Sequence, residues 1–247
     1  MTKNIYFASD FHLGAPNYEE SRNREKLVVE WLDSIMPTCS ELYLMGDIFD
    51  FWFEYREVIP KGFVRLQGKL AEMSDKGIRL FFFKGNHDMW VKDYFTKEMG
   101  ITIISDELII TRNGKRFFLH HGDGLGPGDQ KYKFLRRFFR NPFCQWLFSI
   151  LPPKIGLFIA NGWSSKSRVA SNAKEVFLGE ENEWLAIFAK ERLQKEHFDY
   201  FIFGHRHLPL DIQLASNSRY VNIGEWINYH SYAVFDGEEL KLAYFNS

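Results

Sequence analysis

Short apolar runs separated by turn residues dominate this chain. Runs rich in Ile, Val, Phe and Tyr, bounded by Gly, Asp and Asn, predict strands over Asn4–Ser9, Glu41–Met45, Arg79–Phe83, Thr102–Ile104, Glu107–Thr111, Arg116–His120, Tyr200–Phe203, Tyr220–Ile223, Tyr232–Phe235 and Leu240–Phe245. Three longer segments predict helices, over about Tyr18–Met36, Gly62–Ser74 and Asn182–Lys195. Leu27, Trp31 and Ile35 form one buried stripe in the first, and Leu66, Leu70 and Met73 form another in the second. Strands and helices alternate early, as in βαβ units, and the chain ends strand after strand, as in a meander. The pattern predicts a layered α/β protein whose sheet is finished by antiparallel strands.

The segment from about Gly124 to Gly179 breaks this rhythm. It opens on the turn-rich Gly124-Leu125-Gly126-Pro127-Gly128. Lys131, Lys133, Arg136, Arg137 and Arg140 follow, interleaved with Tyr132, Phe134, Leu135, Phe138 and Phe139. From Pro142 to Trp163 the chain is mostly apolar and long enough to cross a bilayer. Pro152 and Pro153 would break such a helix, so two short amphipathic helices are predicted instead, suited to a membrane surface or an acyl chain. The organisation expected is a single domain over 1–247 with a helical cap inserted at about 124–179.

Composition narrows the partners. Lys plus Arg is 31 against 32 for Asp plus Glu, a balance that gives no general reason to expect nucleic acid. Cys39 and Cys144 make neither a zinc motif nor a disulfide framework, as in a reducing compartment. A strand at Ile5-Tyr6-Phe7-Ala8 leaves no room for a signal peptide ahead of it, so a cytoplasmic location is expected.

The chemistry lies at strand ends. Five predicted strands are each followed by a run of metal-binding residue types: Asp10-Phe11-His12, Gly46-Asp47, Gly85-Asn86-His87-Asp88, His120-His121-Gly122-Asp123 and Gly204-His205-Arg206-His207. Six of the eight His lie in these runs; His197 and His230 carry no motif and read as ordinary residues. Turn chemistry alone explains any single Gly-Asp pair. Five in series, each after an apolar stretch, call for a ligand that wants carboxylate, amide oxygen and imidazole together. In open α/β sheets such loops converge beyond the carboxyl ends of the strands. Asp10, His12, Asp47 and His207 can hold one divalent ion, and Asp47, Asn86, His121 and His205 a second, with Asp47 bridging. His121 is preferred over His120 because it directly precedes a Gly that lets the chain turn. Oxygen and nitrogen donors without thiolate point to manganese, iron, zinc or magnesium. Two such ions about 3.5–4 Å apart activate water and stabilise charge on a phosphoryl group, so phosphoester or phosphoanhydride hydrolysis is the natural reaction.

This series of motifs resembles the calcineurin-like metallophosphoesterase superfamily over essentially the whole core. The resemblance implies an α/β/β/α sandwich and a binuclear centre. It implies that His87 is not a ligand but serves the leaving oxygen, with Asp88 orienting its ring. The Gly46-Asp47-Ile48-Phe49-Asp50-Phe51-Trp52 run, the cap after Asp123 and the Ser164-Ser165-Lys166-Ser167 run resemble more closely the UDP-2,3-diacylglucosamine pyrophosphohydrolases of lipid A synthesis. That resemblance implies cleavage to UMP and the acylated sugar 1-phosphate, at the cytoplasmic face of the membrane, with manganese the usual metal. It also implies substrate contacts from Asp129 and Lys166. Trp52 is expected at the edge of the site, and Asp50 beside the ligands rather than among them. The best-known branch of these enzymes has Arg where this chain has His87, which alters how phosphate is gripped. Two rival readings are a phosphoesterase of the same core acting on a nucleotide, phosphoprotein or nucleic acid, and a non-catalytic scaffold stabilised by metal.

Overall fold

The computed structural model describes residues 3–127, 130–156, 176–177, 179–215 and 217–246. The first sheet alternates with helices: β1 (Asn4–Ala8), α1 (Tyr18–Ile35), β2 (Cys39–Leu44), α2 (Val64–Asp75), β3 (Arg79–Phe83), α3 (Tyr94–Met99) and β4 (Thr102–Ile104). A hairpin of β5 (Leu108–Arg112) and β6 (Lys115–Leu119) starts the second sheet. Helices α4 (Gln130–Arg140), α5 (Pro142–Ile150) and α6 (Trp184–Leu193) separate it from β7 (Tyr200–Phe203), β8 (Pro209–Ala215) and β9 (Ser218–Ile223). The chain then returns to the first sheet with β10 (Ser231–Phe235) and β11 (Leu240–Tyr244).

The sheets run β11-β10-β1-β2-β3-β4 and β5-β6-β7-β9-β8. Strands β1 to β4 are parallel, and so are β6, β7 and β9, with antiparallel strands outside them. Strand alternation divides the core into three slabs. Tyr6, Ala8, Leu42 and Leu44 face α1 to α3 and pack with Trp31, Leu32, Leu66 and Leu70. Ile5, Phe7 and Tyr43, with Phe235 beside them, face the other sheet and meet Phe117, Ile202 and Val221. Phe118, Phe201 and Phe203 turn outward to Leu185 and Ala189 of α6. These slabs are the α/β/β/α sandwich.

The start of α2 is fixed by a carboxylate from elsewhere in the chain. Phe63 before α2 has a positive φ and gives no side-chain cap. Glu25 Oε1 on α1 instead accepts the amides of Arg65 (2.9 Å) and Leu66 (3.1 Å), so α2 begins beyond the Gly62 expected. On α1, Val28 is buried with Trp31 and Ile35, while Leu27 is only half-buried. Strand β8 escaped the sequence reading because it is an edge strand opening on Pro209 and alternating with exposed Asp211 and Gln213. Helix α3 escaped because six residues with two buried positions give too short a period.

At the end away from the loops, the buried Glu41 on β2 ties the sheets together. It accepts from Tyr43 Oη (2.6 Å), from Arg79, and from Arg112 of β5 through Nε (2.8 Å) and a terminal nitrogen (3.0 Å). Burial raises the Glu41 carboxyl, but these donors outweigh it and hold the group below its usual value. The sign follows: the unfolded chain takes up the proton first, so this contribution is complete above the ordinary carboxyl range and disappears on acidification. Glu41→Gln is expected to lower stability by about 2–3 kcal/mol at neutral pH. Denaturant titrations of both proteins from pH 7 to pH 3 should show the difference shrinking toward acid.

Candidate metal centre

The parallel strands of both sheets point their carboxyl ends the same way, and their loops keep hydrogen-bonding to one another beyond the sheets. The Asp10 amide donates to Gly46 O (3.0 Å), that of His12 to Asp47 O (3.0 Å), and that of Gly204 to His121 O (2.8 Å). This brings three sets of donors together: Asp10, His12 and His207; His12, Asp47 and His87; and Asp47, His121 and His205. Within each set the donor atoms lie within 4.8 Å of one another.

Each carboxylate is half engaged by the protein and half turned to the cluster. Asp10 Oδ2 accepts from Ser9 Oγ (2.5 Å) and the His205 amide (3.0 Å). Its Oδ1, buried and accepting no hydrogen bond, lies 3.2 Å from His207 Nε2 and 3.6 Å from His12 Nε2. Asp47 Oδ1 accepts the His87 amide (2.8 Å), while Oδ2 lies 3.9 Å from His12 Nε2 and 3.4 Å from His121 Nε2. Asn86 Oδ1 is 3.3 Å from the same His121 nitrogen, and His12 Nε2 is 3.1 Å from His207 Nε2. His121 Nδ1 lies 2.9 Å from Met45 O, an acceptor only, so Nδ1 carries the proton and Nε2 faces the carboxylate. Ligands about 2.1 Å from an ion stand about 3 Å apart around it, so this donor set fits divalent cations.

The electrostatics agree. Burial alone would lower both imidazoles, yet Asp10 and Asp50 bring His12 up to about 9 and Asp47 brings His121 up to about 10. The cluster attracts positive charge strongly enough to overcome desolvation. His205, where burial prevails and His121 opposes a second charge, is pulled down to about 4.

Holding these atoms together strains the backbone. Among the described residues nine non-glycine positions have positive φ, and Asp10, His12, Asp47, His205 and His207 are five of them. Such conformations cost about 1–3 kcal/mol each and persist only where the surroundings enforce them. Close approach also requires glycine at 85, where a Cβ would fall 2.1 Å from Asp47 Oδ1, and at 204, where it would fall 2.6 Å from Asp10 Oδ2. Arg24 supplies much of the enforcement. Reaching from α1, its Nε donates to Phe11 O (2.6 Å) and a terminal nitrogen donates to His12 O (2.8 Å) and Ala15 O (2.5 Å). The sequence reading missed Arg24; its one signal was an arginine on the apolar side of α1, four residues before Val28.

Two expectations need correction. Asp88 does not orient His87: its buried carboxylate accepts amides of Gly85 (2.8 Å), Ile48 (2.8 Å) and Asp47 (3.3 Å), tying the β3 loop to the β2 loop. His87 Nδ1 lies instead 3.0 Å from Asp50 O. Burial and the neighbouring Asp47 charge raise Asp88 to about 7. Trp52 does not edge the site. It is fully buried between Phe49 and Phe95, with Nε1 on Glu54, because the chain after Asp47 turns back into the first slab. Asp50 Oδ1 lies 3.7 Å from both His12 Nδ1 and His87 Nδ1. His120 accepts the Gly122 amide (2.8 Å) and belongs to none of the three sets. Asp129 and Lys166 lie outside the described residues.

A model of the calcineurin-like phosphoesterase family matches residues 3–209. The chain belongs to that family. A Porphyromonas gingivalis protein named UDP-2,3-diacylglucosamine hydrolase is 41% identical over 98% of this chain and 97% of its own length. A Haemophilus influenzae protein of the same name is 31% identical over 95% of each. In this phosphoesterase Arg24 helps to fasten the donor loops. Arg24→Ala would leave three loop carbonyls without their donor. It is expected to lower stability by about 3 kcal/mol and to reduce bound metal. Arg24→Lys should rescue little, since one ammonium cannot span the three acceptors. Thermal denaturation and elemental analysis of the purified variants check both.

Proposed function

We propose that this phosphoesterase holds two divalent cations, one through Asp10, His12, Asp47 and His207 and the other through Asp47, Asn86, His121 and His205. On this reading it hydrolyses the diphosphate of UDP-2,3-diacylglucosamine to UMP and 2,3-diacylglucosamine 1-phosphate. The observation that carries the site is Asp47 Oδ2, turned toward His12 on one side and His121 on the other. The relatives' shared name, over nearly the full length of the chain, supports the substrate. Manganese is our choice of metal; iron, zinc and magnesium accept the same donors.

When bound, the cations lower the pKa of water and offset negative charge on the phosphoryl group. The chain's residues do the rest. The strand-end backbone fixes Asp10 and Asp47 so that one oxygen of each stays on the cluster. His87, its Nδ1 proton directed to Asp50 O, meets the leaving oxygen through Nε2. Burial lowers this imidazole against the pull of Asp47 and Asp50. An anionic phosphoryl group beside it favours the protonated form, so the proton arrives with the substrate.

The whole chain acts in this reading as one domain, with the segment at about 124–179 as a cap over the acyl chains. Exposed Phe143, Trp146, Leu147 and Ile150 support contact with the inner face of the cytoplasmic membrane. No helix among the described residues is long and apolar enough to cross it.

Incubating the purified protein with UDP-2,3-diacylglucosamine and manganese should release UMP, measured by chromatography. Cleavage of simple aryl phosphates with no UMP from this lipid would refute the substrate. Asp47→Ala and His121→Ala should fold and lose activity at least about a thousandfold. His87→Ala should keep its metal and lose about 10²–10⁴ in kcat. Metal binding must displace protons from His12 and His121, so apparent affinity should climb from pH 6 toward pH 9. Calorimetry in buffers of different ionisation enthalpy should register the proton release.

A further inference from the structure

Lys133, Arg136, Arg137 and Arg140 follow one another on α4 at spacings that place all four on one face. With Gly124 and Asn141 they line a solvent-open cavity of about 390 Å³ that shares no residue with the three donor sets. Like charges so spaced repel and destabilise an isolated helix. The carbonyl end of the helix favours Arg137 and Arg140 but does nothing for the two cations nearer its start. Among the described residues, two carboxylates answer the four cations. Arg136 meets Asp123 Oδ2 (2.7 Å) and Asp106 Oδ1 (3.3 Å), and Arg140 meets Asp106 Oδ1 (2.5 Å). Lys133 spends one donor on Gly126 O (2.6 Å), a neutral acceptor. Arg137 is exposed and has no ion-pair partner among the described residues. Among the described residues, four positive charges against two negative leave the cavity with a net charge of about +2. Asn141 adds polarity: its Oδ1 accepts the Phe143 amide (2.8 Å), leaving its amide nitrogen as donor.

The next helix repeats the spacing in another chemistry. Phe143, Trp146, Leu147 and Ile150 of α5 are 63%, 56%, 47% and 60% exposed, and Asn141 joins the two helices. A cationic stripe thus runs into an apolar one.

We infer that the α4 cavity is a binding site for a phosphate group, separate from the metal centre. Guanidinium forks and an ammonium around one cavity match the oxygens of a phosphate monoester or diester. The cavity has room for the phosphate and the start of whatever carries it. The apolar stripe beside it suits a lipid carrier, while the phosphate chemistry is shared with free phosphate.

The test uses full-length protein with the metal it carries, in the wild type and in Lys133→Gln/Arg137→Gln. The metal centre is common to both, so its own affinity for phosphate cancels. Inorganic phosphate is titrated calorimetrically. Flotation is measured with vesicles of phosphatidylglycerol in phosphatidylcholine and of phosphatidylcholine alone. Both replaced side chains lie on the helix surface, and circular dichroism confirms folding. Two basic side chains near an anionic surface contribute about thirtyfold together. A loss of that size on phosphatidylglycerol vesicles, with phosphatidylcholine unaffected, supports the site and makes a lipid headgroup its source. A loss confined to inorganic phosphate supports it with a soluble source. If neither anion is held less tightly, or if neutral vesicles lose as much, the inference is overturned. The readout is binding, so it stands whether or not UMP is released in the hydrolysis assay.

Discussion

The constraint on which everything else rests is the crowding of buried carboxylates and imidazoles at one point between two sheets. Asp10 and Asp47 are fully withdrawn from water, with His12, His121 and His207 around them. Such a cluster is unfavourable unless opposite charge compensates it. The chain meets this by giving each carboxylate one oxygen to the protein and one to the cluster. It also enforces left-handed backbone at five donors and keeps side chains off positions 85 and 204. Stability is surrendered locally so that donor atoms from five loops stand within a few ångströms.

The surrounding structure reads as support for that point. Arg24 fastens the first loop from α1, and Asp88 ties the second loop to the third. The Met45 carbonyl sets the tautomer of His121. Glu41 closes the opposite ends of the sheets, so each end of the sandwich has its own polar fastening. The apolar slabs between carry the bulk of the burial, and the polar groups determine where the loops stop.

Much of this was legible in the chain because strand ends and metal donors both leave local signatures. Apolar runs bounded by Gly, Asp and Asn located ten of the eleven described strands, and the five runs that follow strands hold the residues of the three donor sets. Fastenings made by residues far apart in sequence left no such trace. Nothing in the Gly85–Asp88 run says that Asp88 serves backbone amides of another loop rather than the ring beside it. Nothing in Phe51-Trp52-Phe53 separates a site wall from a core slab, since both want aromatic residues. Arg24 is hidden for the same reason: an arginine on a helix usually lies on the solvent side, and only the folded chain shows it capturing carbonyls.

Ion pairs hold both ends of the stretch from Asp123 to Glu183. Arg136 holds Asp123, two residues beyond His121, and Arg206, between His205 and His207, holds Glu183 (3.1 Å) just before α6. A replacement for that stretch would therefore have to bring a matching pair of anchors or leave a charge stranded at each junction. Anyone building chimaeras of these proteins would meet those two junctions first.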